Sequence, residues 1–359
     1  MKFGIFDHLD NSAIPAHQFF SDRLTLIELY DRYEFHCYHI AEHHGTTLGM
    51  APSPNVFLAA VAQRTKRLRF GPMVYALPLY HPLRLVQEIC MLDQLSQGRL
   101  DVGFGRGSSP VEIAYFGVDP HETEAIFQRT LPAVLSAIES GVFIASDQQP
   151  PFQKIELKIP AFQRPGPPVW YGVHTPESAE RAARRGWQTI NLDTAEEARI
   201  CTDAYLGACR EVPPGKEPLL GLGRFIVVAS SDHEAQALAR RAYPHWHESF
   251  THLARTLGST AKHPRPATWE ALEGQGKGIA GSPETVARLC ADQLGTSRCN
   301  YLVGQFAFGD QNLDELTTSV RLFAEHVMPR LRGILPMSGA FGPTISSGSS
   351  GAPRQLLSD

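Results

Sequence analysis

Four histidines and a glutamate lie within ten positions of this chain, in the stretch HCYHIAEHHG at residues 36–45. Imidazoles can bind zinc or exchange a proton near neutral pH. The zinc motif HExxH is absent and no Cys/His spacing fits a structural zinc site, so we expect no metal. His36 and His39 lie before or on a predicted strand and are interpreted as structural. His43 and His44 follow that strand and are candidates for acid–base chemistry, with packing histidines as the alternative.

A second candidate is the glycine-rich stretch DVGFGRGSS at residues 101–109. Glycines lack a Cβ and let the backbone pass close to a ligand, and the Arg106 guanidinium among them is suited to a phosphate. The dinucleotide fingerprint GxGxxG is not complete, because Ser108 stands where its third glycine would be. The stretch therefore indicates either a phosphate-binding turn or an ordinary glycine-rich turn.

A third candidate is a helix start in VHTPES at residues 173–178. Thr175 at the N-cap and Pro176 at the first helical position are the preferred order, and the free N–H groups of a first turn can hold an anion. An ordinary helix cap is the alternative. A phosphate held between Arg106 and this helix start would explain the second and third stretches together.

The bulk composition limits the class of protein. The 359 residues are 43% hydrophobic and 19% charged, with a net charge of −4, which offers no broad basic surface for nucleic acid. No stretch approaches the roughly 18 apolar residues of a membrane span, and the N-terminus lacks the apolar core of a signal peptide. The six cysteines show neither CxxC nor the spacing of a disulfide framework. We expect a soluble, cytoplasmic protein with reduced thiols.

Strand-like and helix-like segments alternate along the chain, which favours an α/β fold with a parallel sheet. A (β/α)8 TIM barrel with inserted loops fits eight strands best, and a doubly wound sheet is the alternative. In a barrel the three candidate stretches would meet at the carboxyl ends of the strands. The eight predicted strands are residues 2–6, 37–41, 68–77, 99–105, 168–173, 188–192, 223–229 and 299–306.

Four local features modify or interrupt the alternation of strands and helices. Ser21 is expected to cap the first helix, and Pro132 to kink or break a helix at 123–140. Residues 244–282 are predicted to be an excursion, either a mobile cover or a surface segment. The barrel domain is expected over 1–336, followed by a Gly/Ser/Pro-rich disordered tail at 337–359.

Several longer motifs, in order and spacing, resemble those of the bacterial luciferase-like monooxygenases over about residues 1–335. They are KFGIF, AEHH, LPLYHPLRL, LDQLSQGRLDVGFGRG with YFGVD, PVWYGVHTPESAERAARRG and GSPETV…LFAEHVMP. The resemblance implies a (β/α)8 barrel that uses reduced FMN, supplied by a separate flavin reductase, and O2 to oxidise a small organic substrate through a flavin peroxide. It also implies a homodimer.

The resemblance also implies roles for individual residues. His43 matches the histidine tied to catalysis in the luciferases, and His44 the one after it. Arg106 matches the arginine at the flavin phosphate, and Met73 and Val74 the pair under the isoalloxazine ring, where the family often has a non-prolyl cis peptide. The expected flavin-binding residues are Met73, Val74, Gly105, Arg106, His174, Thr175 and Ser178.

Three departures argue against light emission and a long-chain aldehyde substrate. Gly105 replaces a cysteine of the light-emitting enzymes, His174 replaces a glutamate, and Met73–Val74 replaces a pair of small residues. Two other functions stay open, namely a deazaflavin-dependent hydride transfer and a flavin-binding protein without turnover. The AEHH pair favours FMN, because oxygen chemistry benefits from proton donors. The sequence does not identify the organic substrate.

Overall fold

The computed structural model describes residues 1–10, 14–145, 153–209, 217–258 and 264–333. Strands and helices alternate throughout these ranges, as the sequence pattern predicts. None of the helices found there is long and apolar enough to span a membrane. The predicted disordered tail at 337–359 lies outside the described residues.

The strands form one parallel sheet and one small antiparallel hairpin. The twelve strands are β1 Lys2–Asp7, β2 Cys37–Ile40, β3 Arg69–Pro72, β4 Tyr75–Ala76, β5 Val102–Gly105, β6 Val142–Ile144, β7 Lys154–Glu156, β8 Val169–Gly172, β9 Gln188–Asn191, β10 Leu220–Val228, β11 Gly278–Gly281 and β12 Tyr301–Gln305. The parallel order is β3-β2-β1-β12-β10-β9-β8-β5-β4, with β11 beside β10, whereas β6 and β7 pair antiparallel.

The sheet order returns on itself, since β3 and β4 are two halves of one interrupted strand. The first half bridges the segment before β5 through Phe70 and Leu100, and the second half pairs with β5 itself. The prediction of a (β/α)8 barrel is therefore confirmed. The single predicted strand at 68–77 is divided at Met73–Val74, where the peptide bond is cis.

Helices connect the strands and cover the outside of the sheet. They are α1 Ala16–Arg32, α2 Pro54–Arg64, α3 Pro82–Ser96, α4 Pro110–Tyr115, α5 Thr123–Ser140, α6 Pro176–Arg184, α7 Ala195–Cys209, α8 Asp232–Leu257, α9 Trp269–Gly274, α10 Pro283–Ser297, α11 Leu313–Leu322 and α12 Met328–Arg332. A 3-10 turn at Leu77–Leu79 and a π turn at Phe323–Val327 complete the set.

The predicted cap at Ser21 is wrong, and of the two alternatives predicted at Pro132 the break does not occur. The first helix begins at Ala16, so Ser21 lies inside it and caps nothing. The helix at Thr123–Ser140 is not broken at Pro132. The proline removes one backbone hydrogen bond, but Leu131 and Val134 beside it are buried in the core. Packing of one apolar face stabilises a helix more than a single backbone bond does.

The segment 244–282 is more regular than predicted. Helix α8 continues through Pro244 to Leu257, α9 follows, and β11 adds a strand that the sequence pattern did not indicate. The four residues of β11 are rich in glycine, so they contain too few apolar side chains for the sequence to predict a strand. Pairing with β10 at Phe225–Val228 supplies the hydrogen bonds that define it.

Aromatic side chains fill the barrel below the strand ends. Trp170 and Tyr301 are fully buried there, and the Trp170 indole donates a hydrogen bond of 2.7 Å to Asp101. His39 shares a 2.9 Å hydrogen bond with the Tyr301 hydroxyl, and burial together with His36 lowers the pKa of His39 to about 3. A neutral, buried His39 agrees with its structural interpretation. Because this layer is packed, a ligand site is available only above it.

Candidate active site

A cavity of about 350 Å³ opens at the carboxyl ends of the strands. Its wall is mainly apolar, with polar groups at a few places, which is the usual composition of a small-molecule site. Of the predicted site residues, His43, Met73, Val74, Arg106 and His174 line it. His44, Gly105, Thr175 and Ser178 are not among the described residues that line it.

Glu112, at the start of α4, holds the end of β2 in place. One carboxylate oxygen accepts a hydrogen bond of 3.1 Å from Nδ1 of His43, and the other accepts one of 3.0 Å from the backbone N–H of His44. Ser109 caps this helix by accepting from the Glu112 N–H, which fixes the glutamate at the cavity edge. With Nδ1 carrying the proton toward a carboxylate, Nε2 of a neutral His43 is the nitrogen able to accept one.

Glu42 organises the other histidine. Its side chain is almost completely buried, and one oxygen accepts a hydrogen bond of 2.9 Å from Nε2 of His44. The second oxygen accepts from the Ala76 backbone N–H at 3.1 Å and from the Tyr80 hydroxyl at 2.8 Å. This network ties the end of β2 to β4 and the turn after it. His44 is therefore engaged with protein groups, whereas His43 borders the cavity.

His8, after the end of β1, is a site residue that our sequence analysis missed. Its ring stacks on His43 with centroids 5.8 Å apart, and its Nδ1 accepts a hydrogen bond of 3.0 Å from Gln305. Burial, then the neighbouring His43 and the charge of Arg265, hold the pKa of His8 well below its ordinary value. His8 is thus a neutral partner of His43. Its position directly after a predicted strand was the available signal.

The phosphate-binding candidates lie on another part of the rim. Arg106 follows β5, borders the cavity and forms an ion pair with Glu124 of α5, both side chains being about half exposed. A hydrogen bond from Gln128 and the charge of Arg106 lower the pKa of Glu124. Gly107, in the left-handed region at φ +84°, turns the backbone here. The arginine is held at the rim by a carboxylate that an incoming anion would have to share or displace.

The start of α6 has the predicted cap. Thr175 and Ser178 form a reciprocal capping box in which each side chain accepts from the other residue's N–H. His174 before it donates a hydrogen bond of 2.7 Å from Nδ1 to Asp193, which follows β9. Burial raises the pKa of Asp193, but the hydrogen bond and charge of His174, with Lys277 and Arg265, outweigh this and lower it. His174, directly before this helix, and Arg106 line the same cavity.

Met73 and Val74 form the cavity wall at the interrupted third strand. Gly105 lies directly behind them, where an added Cβ would meet a methyl group of Val74 at 2.3 Å. The cis peptide agrees with the sequence expectation. Gly105 is therefore explained by packing against this wall.

The clustered histidines do not assemble a metal site. In the described ranges no group of three or more His, Cys, Asp or Glu side chains is arranged to hold an ion. His43 and His44 bond different carboxylates, Glu112 and Glu42, whereas His36 and His39 both contact the Tyr301 ring. Arg265, from the excursion before α9, is a further cavity residue that no sequence motif marked.

Comparisons with known proteins agree with this architecture. An uncharacterized protein, y4wF, of Sinorhizobium fredii is 38% identical over 333 residues, which cover 92% of this chain and 97% of that protein. The oxygenase component of a flavin-dependent trigonelline monooxygenase of Acinetobacter baylyi is 28% identical over 246 residues, covering 67% and 68%. The crystal structure of monooxygenase RslO1 from Streptomyces bottropensis superposes with a TM-score of 0.77 at 29% identity, covering 92% of this chain and 99% of that one.

The family description covers most of the barrel. The sequence profile of the luciferase-like monooxygenases matches residues 1–297. On the agreement of profile, relatives and barrel topology, the chain belongs to the luciferase-like monooxygenase family.

Proposed function

We propose that this protein is the oxygenase of a flavin-dependent monooxygenase system, using reduced FMN and O2 to oxidise a small organic substrate. The observation that carries the proposal is the placement of His43, Arg106 and His174, the residue before the capped start of α6, around one largely apolar cavity. A proton-exchanging group and two anion-binding groups are thereby within reach of a single ligand. A relative named as an oxygenase component supports a separate reductase as the source of reduced flavin.

The residues present fit FMN at both ends of the molecule. The wall formed by Met73 and Val74 is apolar, as a flat ring system requires, and Arg106 with the α6 N-terminus offers positive charge for a phosphate. Glu124 reduces the positive charge that is offered to the phosphate, because its carboxylate already pairs with Arg106. Arg106 would hold the phosphate, and Met73 and Val74 would support the ring.

When bound, reduced FMN with O2 supplies the oxygen atom, and the chain supplies positioning and proton transfer. Glu112 fixes the His43 ring, so Nε2 is available to accept or return a proton at the cavity wall. His8 stacks beside it as a neutral ring and adds no competing charge. The apolar wall excludes water, which would otherwise compete for the activated oxygen.

The test compares the protein with free flavin. Purified protein is mixed with reduced FMN, and separately with a reduced deazaflavin, before oxygen is admitted. We expect tight binding of reduced FMN and a rate of flavin reoxidation that differs from that of free FMN. An untargeted metabolite comparison with and without the protein then identifies the substrate oxidised.

Two outcomes would contradict the proposal. Oxidation of the deazaflavin by a substrate without O2 consumption would indicate hydride transfer. Binding of FMN with reoxidation unchanged from free flavin would indicate a flavin-binding protein without turnover.

We also propose that the protein is a homodimer in the cytoplasm. All six cysteines are free, and reduced thiols are typical of proteins inside the cell. The exposed apolar residues of α2 and α3, considered in the Discussion, support the dimer.

A further inference from the structure

One cation in the cavity wall has no partner. Arg265 lines the cavity, and its guanidinium makes neither a hydrogen bond nor an ion pair with any residue in the described part of the chain. Arginine carries five donors and is always charged, so a half-buried guanidinium normally meets a carboxylate, phosphate or carbonyl. Its donors are therefore available to a ligand.

The backbone that carries Arg265 is tied to α8. The His247 imidazole donates a hydrogen bond of 3.2 Å to the carbonyl of Arg265, and the Tyr243 hydroxyl donates one of 2.8 Å to the carbonyl of Pro266. Tyr243 is itself fully buried. The arginine thus projects from an anchored segment, and its position over the cavity is defined by packing.

The surroundings of Arg265 compensate its charge only in part. Phe250, Leu253 and Ala254 of α8 and Leu192 after β9 are apolar residues that line the same cavity. Burial lowers the pKa of Arg265, and the nearby Asp193 only partly opposes this. That carboxylate is already hydrogen-bonded to a histidine, as described above. Keeping a cation in apolar surroundings is costly unless an anion accompanies it.

The cavity's own carboxylates are engaged elsewhere. Glu42 is bonded to His44, Ala76 and Tyr80, and Glu112 to His43 and the His44 backbone. Neither is free to neutralise Arg265. An anionic group on the ligand would supply the compensation that these two carboxylates do not.

Arg265 and Arg106 have different neighbours on the rim of the cavity. Arg106 follows β5 and the capped helix follows β8, which are adjacent strands. The electrostatic neighbours of Arg265 are His8, after β1, and Asp193, after β9. Asp193 also bonds His174 before the capped helix, so Arg265 lies between the His8 side of the cavity and that helix start. A flavin phosphate at Arg106 leaves Arg265 for the second ligand.

We infer that the organic substrate carries an anionic group, a carboxylate, and that Arg265 binds it and thereby turns the rest of the molecule toward His43. The apolar side chains around the guanidinium would contact the hydrocarbon part of this substrate. The inference rests on the proposed function, because it assigns the second ligand of the same cavity.

The experiment measures binding and requires no turnover. Dissociation constants are determined by calorimetry for three matched pairs: octanoate and octanamide, benzoate and benzamide, phenylacetate and phenylacetamide. Each is titrated into protein saturated with oxidised FMN, and again into protein without flavin. The variants are Arg265→Met, Arg265→Lys and the control Arg240→Met, which removes an exposed arginine of α8 that pairs with Glu270. FMN and riboflavin affinities and melting temperatures are measured on the same preparations.

We expect wild-type protein to prefer the carboxylate of at least one pair by about tenfold or more. Arg265→Met should lose this preference while amide affinity, FMN affinity and melting temperature stay near wild type. Arg265→Lys should keep part of the preference, and Arg240→Met all of it. These results would support the carboxylate site.

Other outcomes overturn the inference. It fails if no pair shows a carboxylate preference in wild type, or if the preference survives in Arg265→Met. It also fails if Arg265→Met weakens FMN but not riboflavin, since Arg265 would then bind the flavin phosphate. Failure of the proposed function is distinguishable, because absent FMN binding with the carboxylate preference intact would overturn the function and support the anion site.

Discussion

At the scale of single residues, His43 is distinguished from its neighbours by what holds it. Glu112 bonds Nδ1 and leaves Nε2 at the cavity, whereas His44 donates Nε2 to a buried glutamate. These two adjacent histidines are therefore suited to different roles. We therefore propose proton exchange for His43 and a positioning role for His44.

His43→Ala should leave the affinity for reduced FMN near wild type and reduce product yield by about 10²–10⁴, the usual contribution of acid–base catalysis. Oxygen that no longer reaches the substrate should appear as hydrogen peroxide. Product, peroxide, flavin affinity and melting temperature are measured together, with the exposed His17→Ala as the control. A parallel loss of flavin affinity, yield and melting temperature would show that His43 only supports the fold.

Arg106→Ala should weaken FMN by about 1.5–3 kcal/mol, the scale of a hydrogen bond to a charged group. Riboflavin, which lacks the phosphate, should bind the variant and wild type almost equally. Fluorescence titration of both flavins provides the measurement. An equal loss for FMN and riboflavin would mean that Arg106 acts on the structure of the cavity.

Glu124→Gln tests the competing ion pair. Removing its negative charge should strengthen FMN roughly two- to fivefold, because exposed charge interactions are worth about 0.2–1 kcal/mol. Riboflavin affinity should not change. Fluorescence titration of both flavins again provides the measurement. Weaker FMN binding in the variant would indicate that Glu124 orients Arg106 for the phosphate.

From the buried carboxyl group of Asp10 we expect the free energy of unfolding to depend on pH. Oδ1 has no hydrogen-bond partner, and burial raises the pKa of this carboxyl from 3.8 to about 7, although Arg23 acts in the opposite direction. At pH values between these two pKa values, the Asp10 carboxyl is protonated in the folded chain and ionised in the unfolded chain. The free energy of unfolding should therefore fall as the pH rises from about 4 to about 7.

Urea unfolding at several pH values checks this expectation by comparing wild type with Asp10→Asn. The variant cannot ionise, so this part of the slope should disappear. An identical slope in both proteins would show that Asp10 titrates normally in the fold.

At the scale of elements, the interrupted third strand depends on the glycine behind it. The Cβ of an alanine at 105 would lie 2.3 Å from a methyl group of Val74, which is too close for an undisturbed wall. The wall and β5 therefore pack at a distance that only glycine allows at this position.

Gly105→Ala should lower the free energy of unfolding by about 1–3 kcal/mol, the usual cost of overpacking. Gly207→Ala is the matched control. Gly207 lies on an exposed face of α7, and an added Cβ there would meet nothing within 4 Å. The control should be neutral or stabilising by about 0.5–1 kcal/mol. Chemical denaturation measures both, and equal stabilities would mean that Val74 moves aside without cost.

At the scale of the whole molecule, apolar side chains lie exposed on two neighbouring helices. Val56 of α2 is 74% exposed, and Met91 and Leu95 of α3 are 50% and 46% exposed. The helices pack together, with Asn55 donating a 2.9 Å hydrogen bond to Glu88. Exposed apolar groups on adjoining elements are typical of an interface between subunits.

The double variant Val56→Glu/Met91→Glu should convert the expected dimer to a monomer of unchanged secondary structure. Light scattering coupled to size-exclusion chromatography measures the mass, and circular dichroism the fold. Ile200→Glu, at a similarly exposed apolar position on α7, should leave the dimer intact. A wild-type protein that is monomeric at micromolar concentration would contradict the proposal.

The alternation of apolar strands with amphipathic helices predicted a parallel α/β sheet, the count of eight strands favoured a barrel over a doubly wound sheet, and the family resemblance implied the barrel. The same local signals predicted the cap at Thr175 and Ser178 and placed His43 and Arg106 at strand ends. These features depend on nearest neighbours along the chain. Sequence alone therefore determined the architecture and half of the candidate site.

Only the tertiary structure decided the partners of those residues. Glu112 lies far from His43 along the chain, and no spacing rule links them, yet the fold brings a carboxylate to its Nδ1. Arg265 belongs to a segment without a motif, and α8 fixes it over the cavity. Hydrogen bonds and charge interactions between distant segments depend on how helices pack on the barrel. For this physical reason the tertiary structure, and not the local sequence, determines which groups bond each site residue.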